Sequence, residues 1–182
     1  GYLFPETYFF TRGMKEEDIL KIFVARFNEK VMPVFPSPSG ISLHDALTIA
    51  SMVEKEAAAG DERPVIAAVF LNRLRKGMPL ESCVTVEYAL GSKKKHLTDA
   101  DLQVYSPYNT YKHMGLPPGP VCNPGLAAIR AVLYPAESDH LFFVARGDGR
   151  HAFSKTWAEH KQAKRKIQLA IRKRQSLSTK SP

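Results

Sequence analysis

The chain has 182 residues, a formal net charge of +8, and hydrophobic and charged fractions of 44% and 24%, the balance of a globular protein with one domain large enough to bury a core. No apolar run approaches the roughly 20 residues a membrane-spanning helix needs, and two cysteines, Cys83 and Cys122, are too few for a disulfide scaffold and too far apart for a zinc knuckle. The opening "GYLFPETYFF" has no initiator Met and no charged-then-apolar leader, so the expectation is a piece of a longer protein.

In chain order, "GMKEEDILKIFVARFNEKV" sets Ile19, Ile22, Phe23 and Phe27 at helical spacing, and the prolines of "VMPVFPSPSG" end that helix in a loop. "SLHDALTIASMVEKEAAAG" predicts a second helix, with Ser42 as N-cap and Gly60 as C-cap. A third runs from Pro64 to Gly77. The β-branched and aromatic residues of "MPLESCVTVEYALG" predict a short strand or half-buried extended piece, and "TDADLQVYS" a capped helical turn. "SPYNTYKHMGLPPGPVCNPG" is too rich in Pro, Gly and Asn for helix or sheet, and its length and aromatics favour an ordered, functional loop. A helix over "GLAAIRAVLYP", a β-hairpin over "HLFFVARGDGRHAFS" with a Gly-Asp-Gly turn, and a basic helix from about Thr156 complete the chain. Helices dominate over a small antiparallel β element, which is the α+β class.

Much of the positive charge lies in "KQAKRKIQLAIRKRQ". No DNA- or RNA-binding signature accompanies it, so it reads as the solvated face of a terminal helix, and nucleic acid is not an expected partner. The histidines lack metal-ligand spacing with Cys or carboxylates, so no metal is expected.

Chemistry concentrates at "EKE". Residues two apart on a helix point about 200° from each other, so Glu54 and Glu56 cannot act as a facing pair. If Leu43, Ala46, Leu47, Ala50 and Val53 form the buried stripe, Glu54 falls on its shoulder and Glu56 near the other edge, beside Ile49 and Met52. Periodicity does not choose between them. A last-turn glutamate ordinarily faces solvent or pairs with a base such as Lys55, Arg63 or Arg73. In a partly dry cleft the same carboxyl would rise from about 4.3 toward 6 and become a general acid.

The segments "GYLFPETY", "TIASMVEKEA", "ERPVIAAVFLNRLRKGMPLES", "TVEYALG", "YNTYKHMGLPPGPVCNPG", "FFVARGDGRHAFS" and "EHKQA" occur together and in this order. They resemble the catalytic domain of the endolytic murein transglycosylases, the YceG-like or MltG family, from Gly1 to about Lys164. That resemblance implies a lytic-transglycosylase-like catalytic domain over 1–164, with 165–182 a basic helix and tail, and a membrane anchor and LysM-like subdomain upstream. It implies cleavage of the β-1,4 bond between N-acetylmuramic acid and N-acetylglucosamine, leaving a 1,6-anhydro-muramyl end. Glu56 is then the catalytic acid and Glu54 a supporting residue. Tyr88, Tyr108, Asn109, Tyr111 and His151 become the candidates to stack on sugar faces or bond acetamido groups.

Family members usually have an acid and a proline before "TV", where this chain has Cys83 and Val84. With Cys122 in the "NPG" loop, the resemblance to a protein of the oxidising periplasm leads to an expected Cys83–Cys122 disulfide. Peptidoglycan strands are the implied substrate and peptidoglycan synthases the implied partners, at the periplasmic face of the cytoplasmic membrane. No cofactor is implied, and no pyridoxal-binding pattern supports a pyridoxal-dependent lyase. A non-catalytic peptidoglycan-binding module, with Glu56 as a salt-bridge partner, is the competing reading.

Overall fold

Acidic residues at the first turn and Lys30 at the last favour helix α1 (Glu16–Val31). Helix α2 (Leu43–Glu56) follows, opened by Ser42, whose Oγ accepts the Asp45 N–H at 3.1 Å as expected of an N-cap. The computed structural model describes residues 1–35, 40–94 and 97–178; part of the expected proline loop, 36–39, and the end of the expected basic tail, 179–182, lie outside the described residues. Beyond α2 come α3 (Arg63–Arg75), α4 (Cys83–Ala89), α5 (Leu126–Leu133), strands β1 (Phe142–Ala145) and β2 (His151–Ser154), and α6 (Trp157–Ser178). The two strands pair antiparallel, with Phe143 opposite Phe153 and Ala145 opposite His151. Gly147 and Gly149 both adopt φ of 82°, which the tight connection requires. The α+β expectation holds.

Helix α2 is the spine. From Ala46 to Val53 every residue is buried, more than a single stripe would give, because α3 and α5 pack on α2 from different sides. Leu47, Ile49, Met52 and Val53 are fully enclosed, and each such side chain contributes about 1.5–3 kcal/mol of transfer free energy.

Two expectations need correction. The second helix stops at Glu56, where Ala57 turns extended (ψ 102°) and buries its methyl in the core; Gly60 instead opens a single 3-10 turn, Gly60–Glu62, leading into α3. The stretch expected to be extended contains α4. Its Val84, Thr85 and Val86 are consecutive and buried, and Thr85 Oγ1 bonds both the Ser82 carbonyl and Thr110 Oγ1, so enclosure on several sides overrides β-propensity. The expected capped turn is present, with the Asp101 carboxylate accepting the Thr98 N–H and hydroxyl.

The Pro- and Gly-rich loop is ordered by side chains bonding its backbone. Asn109, fully enclosed, donates from Nδ2 to the Leu102 and Val104 carbonyls and accepts the Tyr111 N–H. Further on, Ser51 of α2 donates to the Thr48 carbonyl and accepts the Val121 N–H at 2.9 Å. Ser51→Ala strands that buried N–H and is expected to cost about 1–3 kcal/mol, read as a lower urea midpoint at unchanged m-value.

Candidate active site

A cavity of about 420 Å³ opens between α3, the hairpin and the start of α6, with Glu56, Arg73, Glu81, Cys83, Tyr111, Phe142, His151 and Trp157 among its lining residues. That volume suits a small-ligand cleft. Helix α2 delivers Glu56 from its last residue, at the edge continuous with Ile49 and Met52. Since both of those are fully enclosed, that edge runs under the cleft rather than into water.

The Glu56 carboxyl is only partly exposed, and Oε1 accepts a 2.8 Å hydrogen bond from Ser82 Oγ. Burial pushes its pKa above the ordinary glutamate range; the Ser82 bond and the nearby His151 ring oppose that rise, and Glu87 adds to it. Burial dominates because one neutral hydroxyl does not replace the hydration of a carboxylate. A serine hydroxyl can donate to a carboxylate or accept from a carboxylic acid, so Ser82 suits both protonation states.

Glu54 has a different setting. Its Oε1 lies 3.7 Å from Arg63 Nη2 and its Oε2 accepts the Gly125 N–H at 3.3 Å. It ties the end of α2 to the starts of α3 and α5 and does not line the cavity.

Of the other expected residues, Tyr111 and His151 reach the cavity. Burial, then the contact to Cys83, pushes the Tyr111 hydroxyl far above its usual range, so it stays a neutral donor. His151 is fixed by the enclosed Glu62. Its backbone N–H donates to both Glu62 oxygens, and Nδ1 lies 2.8 Å from Oε2, which assigns the proton to Nδ1. The other three lie elsewhere. Asn109 is the loop staple already described, its amide used up by backbone groups. Tyr88 borders a second groove of about 280 Å³ with Lys55 and Glu87, and Tyr108 packs on it with ring centroids 4.6 Å apart.

The expected disulfide is absent. Both cysteines are free thiols: Cys83 Sγ lies 3.2 Å from the Tyr111 hydroxyl in the cleft, while Cys122 donates to the Ser51 carbonyl at 3.3 Å. Burial raises both pKa values, so neither is an activated thiolate.

Sequence reasoning missed Ser82, Glu62 and Arg73 as site builders. Arg73 is buried on α3 and donates to the carbonyls of Leu141, Pro79 and Leu80 and to Glu81, joining the hairpin to the segment before α4. Glu81, held in that fork at 3.1 Å, is the one non-glycine residue with positive φ (49°) among the described residues, a strained geometry of the kind that clusters at functional sites. The available signal was an arginine inside an otherwise apolar helix, "VIAAVFLNRL". Among the described residues no group of His, Cys, Asp and Glu could hold a metal ion, and no helix is long and apolar enough to cross a membrane.

A helix-rich α+β domain that brings one desolvated glutamate to an aromatic-walled cleft has the arrangement in which a carboxyl can serve as a general acid. The chain belongs to the YceG-like family, which it matches over residues 1–166. It is 44% identical over 170 residues to an endolytic murein transglycosylase of Bacillus subtilis (strain 168), a match covering 91% of this chain and 47% of that protein. It is 39% identical over 152 residues to an endolytic murein transglycosylase of Streptococcus pneumoniae serotype 2 (strain D39 / NCTC 7466), covering 80% of this chain and 28% of that one. A 2.6 Å crystal structure of a yceG-like protein of Listeria monocytogenes superposes with a TM-score of 0.78 at 43% identity, covering 89% of this chain and 54% of that chain. The chain thus spans about half, or less, of the length of these relatives.

Two outcomes check the site. Denatured, unreduced protein should titrate two thiols; none would restore the disulfide. Glu56→Gln should stabilise the fold increasingly as pH rises. Below about pH 4 the acid is protonated in both folded and unfolded wild type. As pH climbs through the raised folded value, ionisation costs more in the fold than in the unfolded chain, so the wild type loses stability and the amide does not. Urea melts from pH 4 to 8 read this; a pH-independent difference counts against a raised pKa.

Proposed function

We propose that this chain is the catalytic domain of an endolytic peptidoglycan lytic transglycosylase that cleaves the β-1,4 bond between N-acetylmuramic acid and N-acetylglucosamine. The observation carrying this reading is the protonated tendency of Glu56 in a cleft whose other carboxylate, Glu81, is committed to Arg73. A hydrolase of the common kind needs a second free carboxylate, as nucleophile or as base for water. The lytic reaction needs one group acting twice. Glu56 gives its proton to the glycosidic oxygen as the bond to the muramyl anomeric carbon breaks. Its carboxylate then takes the proton of the C6 hydroxyl as that oxygen closes on the same carbon. The products are a 1,6-anhydro-muramyl end and a free 4-hydroxyl, with no water consumed and Glu56 returned to its acid form.

Ser82 stays bonded to the carboxyl in both stages, and Tyr111 and the Glu62-oriented His151 supply polar groups for the substrate's hydroxyls and acetamido groups. The names of the relatives support murein as the substrate. The domain would then act at the periplasmic face of the cytoplasmic membrane, anchored by a segment outside this chain and working beside peptidoglycan synthases. The basic α6 would lie at the edge of the catalytic domain, which in this reading spans residues 1–164.

General acid–base catalysis contributes about 10²- to 10⁴-fold. Glu56→Gln should therefore lower the release of anhydro-muropeptides from sacculi by at least that range, read by mass spectrometry, whereas Glu54→Gln should retain the chemistry at reduced stability. Undiminished release by the Glu56 variant would remove the assignment, and glycan binding without anhydro ends in wild type would favour a binding module.

A further inference from the structure

Part of the cavity wall is unused by the chemistry at Glu56. Phe142 of β1 and Trp157 and His160 of α6 line it, with ring centroids 5.6 Å apart for Phe142–Trp157, 5.4 Å for Phe142–His160 and 5.3 Å for Trp157–His160. The two His160 pairs are inclined by 30° and 24° and the Phe142–Trp157 pair by 49°, so the three rings form one mutually packed aromatic cluster on the wall. By contrast, Phe70 and Phe143 meet edge-on at 86° beneath the hairpin, as interior aromatics commonly do.

This face is rigidly backed. The Arg73 guanidinium carbon sits 5.0 Å from the centre of the Phe142 ring while its nitrogens hold the Leu141 carbonyl. Burial, then Lys164 and Arg73, pushes the His160 pKa below its usual value, so the ring is neutral at neutral pH. Trp157 nevertheless remains 56% exposed. A large ring left half in water on a cleft wall is the arrangement of a ligand platform.

We propose that Trp157, Phe142 and His160 form a saccharide subsite, on which the apolar face of a pyranose one or more units from the scissile bond stacks. The idea deepens the transglycosylase reading and rests on it for the identity of the sugar, an N-acetylated hexosamine. The axial C–H groups of a β-linked pyranose make one face apolar and weakly electropositive, complementary to the negative face of an indole. The hairpin and α6 thus hold a neighbouring sugar while α2 presents the acid.

Trp157 is the sole tryptophan of the chain, so its emission reports this position alone. Titrating the Glu56→Gln domain with a tetrasaccharide of alternating N-acetylglucosamine and N-acetylmuramic acid should give a saturable change in emission. In the otherwise wild-type domain, Trp157→Ala should raise KM roughly tenfold, the scale of one aromatic contact, with kcat little changed. Trp157→Phe should fall between, and its retained ring guards against mere undocking of α6. Emission that stays put at concentrations saturating wild-type cleavage, or unchanged KM in both variants, overturns the subsite. Emission that responds while wild type yields no anhydro ends overturns the lyase reading and leaves the subsite standing.

Discussion

The enclosure of α2 is the constraint on which the site depends. Its residues from Ala46 to Val53 are buried without interruption, so the helix cannot shift or rotate without opening the core between α3 and α5. Glu56 is the final residue of that fixed rod. Its carboxyl is therefore held by the packing of the helix as well as by its hydrogen bond to Ser82. The core's rigidity fixes the position of Glu56, and burial also raises that group's pKa.

A second layer keeps the cleft open. The segments around it have little regular structure of their own, and each is held by a buried polar side chain reaching its backbone: Asn109 for the stretch from Leu102 to Tyr111, Ser51 for Val121, Arg73 for the start of the hairpin and the stretch before α4. Such bonds suit a loop rich in Pro and Gly, where backbone groups lack partners of their own. One of these residues, Asn109, looks like a ligand-binding group in the sequence. Enclosed, its donors are already committed, which separates it from Tyr111 two residues on, whose side chain reaches the cavity.

Division of labour within the cleft follows from these supports. In the proposed reaction the α2 end supplies a proton and Ser82 accompanies it, while the Glu62–His151 pair fixes a ring on the hairpin. The wall of Phe142, Trp157 and His160 adds a face with no acid–base function. Arg73 contacts the stretch before α4 through Glu81 and the aromatic wall through the Phe142 ring, so these two parts of the cleft share one support. With Glu81 paired to that guanidinium, Glu56 is the carboxyl of the cavity lining without an ion-pair partner among the described residues, which is the charge pattern the proposed mechanism uses.

The sequence by itself determined the helical segments other than α4, the N-cap at Ser42, the hairpin and its glycine turn, because these depend on neighbours within a few residues and on a period of 3.6 or 2. Its motif order also carried the family, and pointed to Glu56 rather than Glu54 as the proposed acid where periodicity left the choice open. Only the tertiary structure decided that the valines around Thr85 lie in a helix, that Asn109 serves the fold, and that the two thiols stay apart. Each of these turns on what lies across the chain: enclosure of α4, carbonyls within reach of an amide, a tyrosine beside one sulfur and a carbonyl beside the other. The same holds for the pKa of Glu56, since desolvation is set by all the atoms that displace water around a carboxyl, and most of them come from segments far away in sequence.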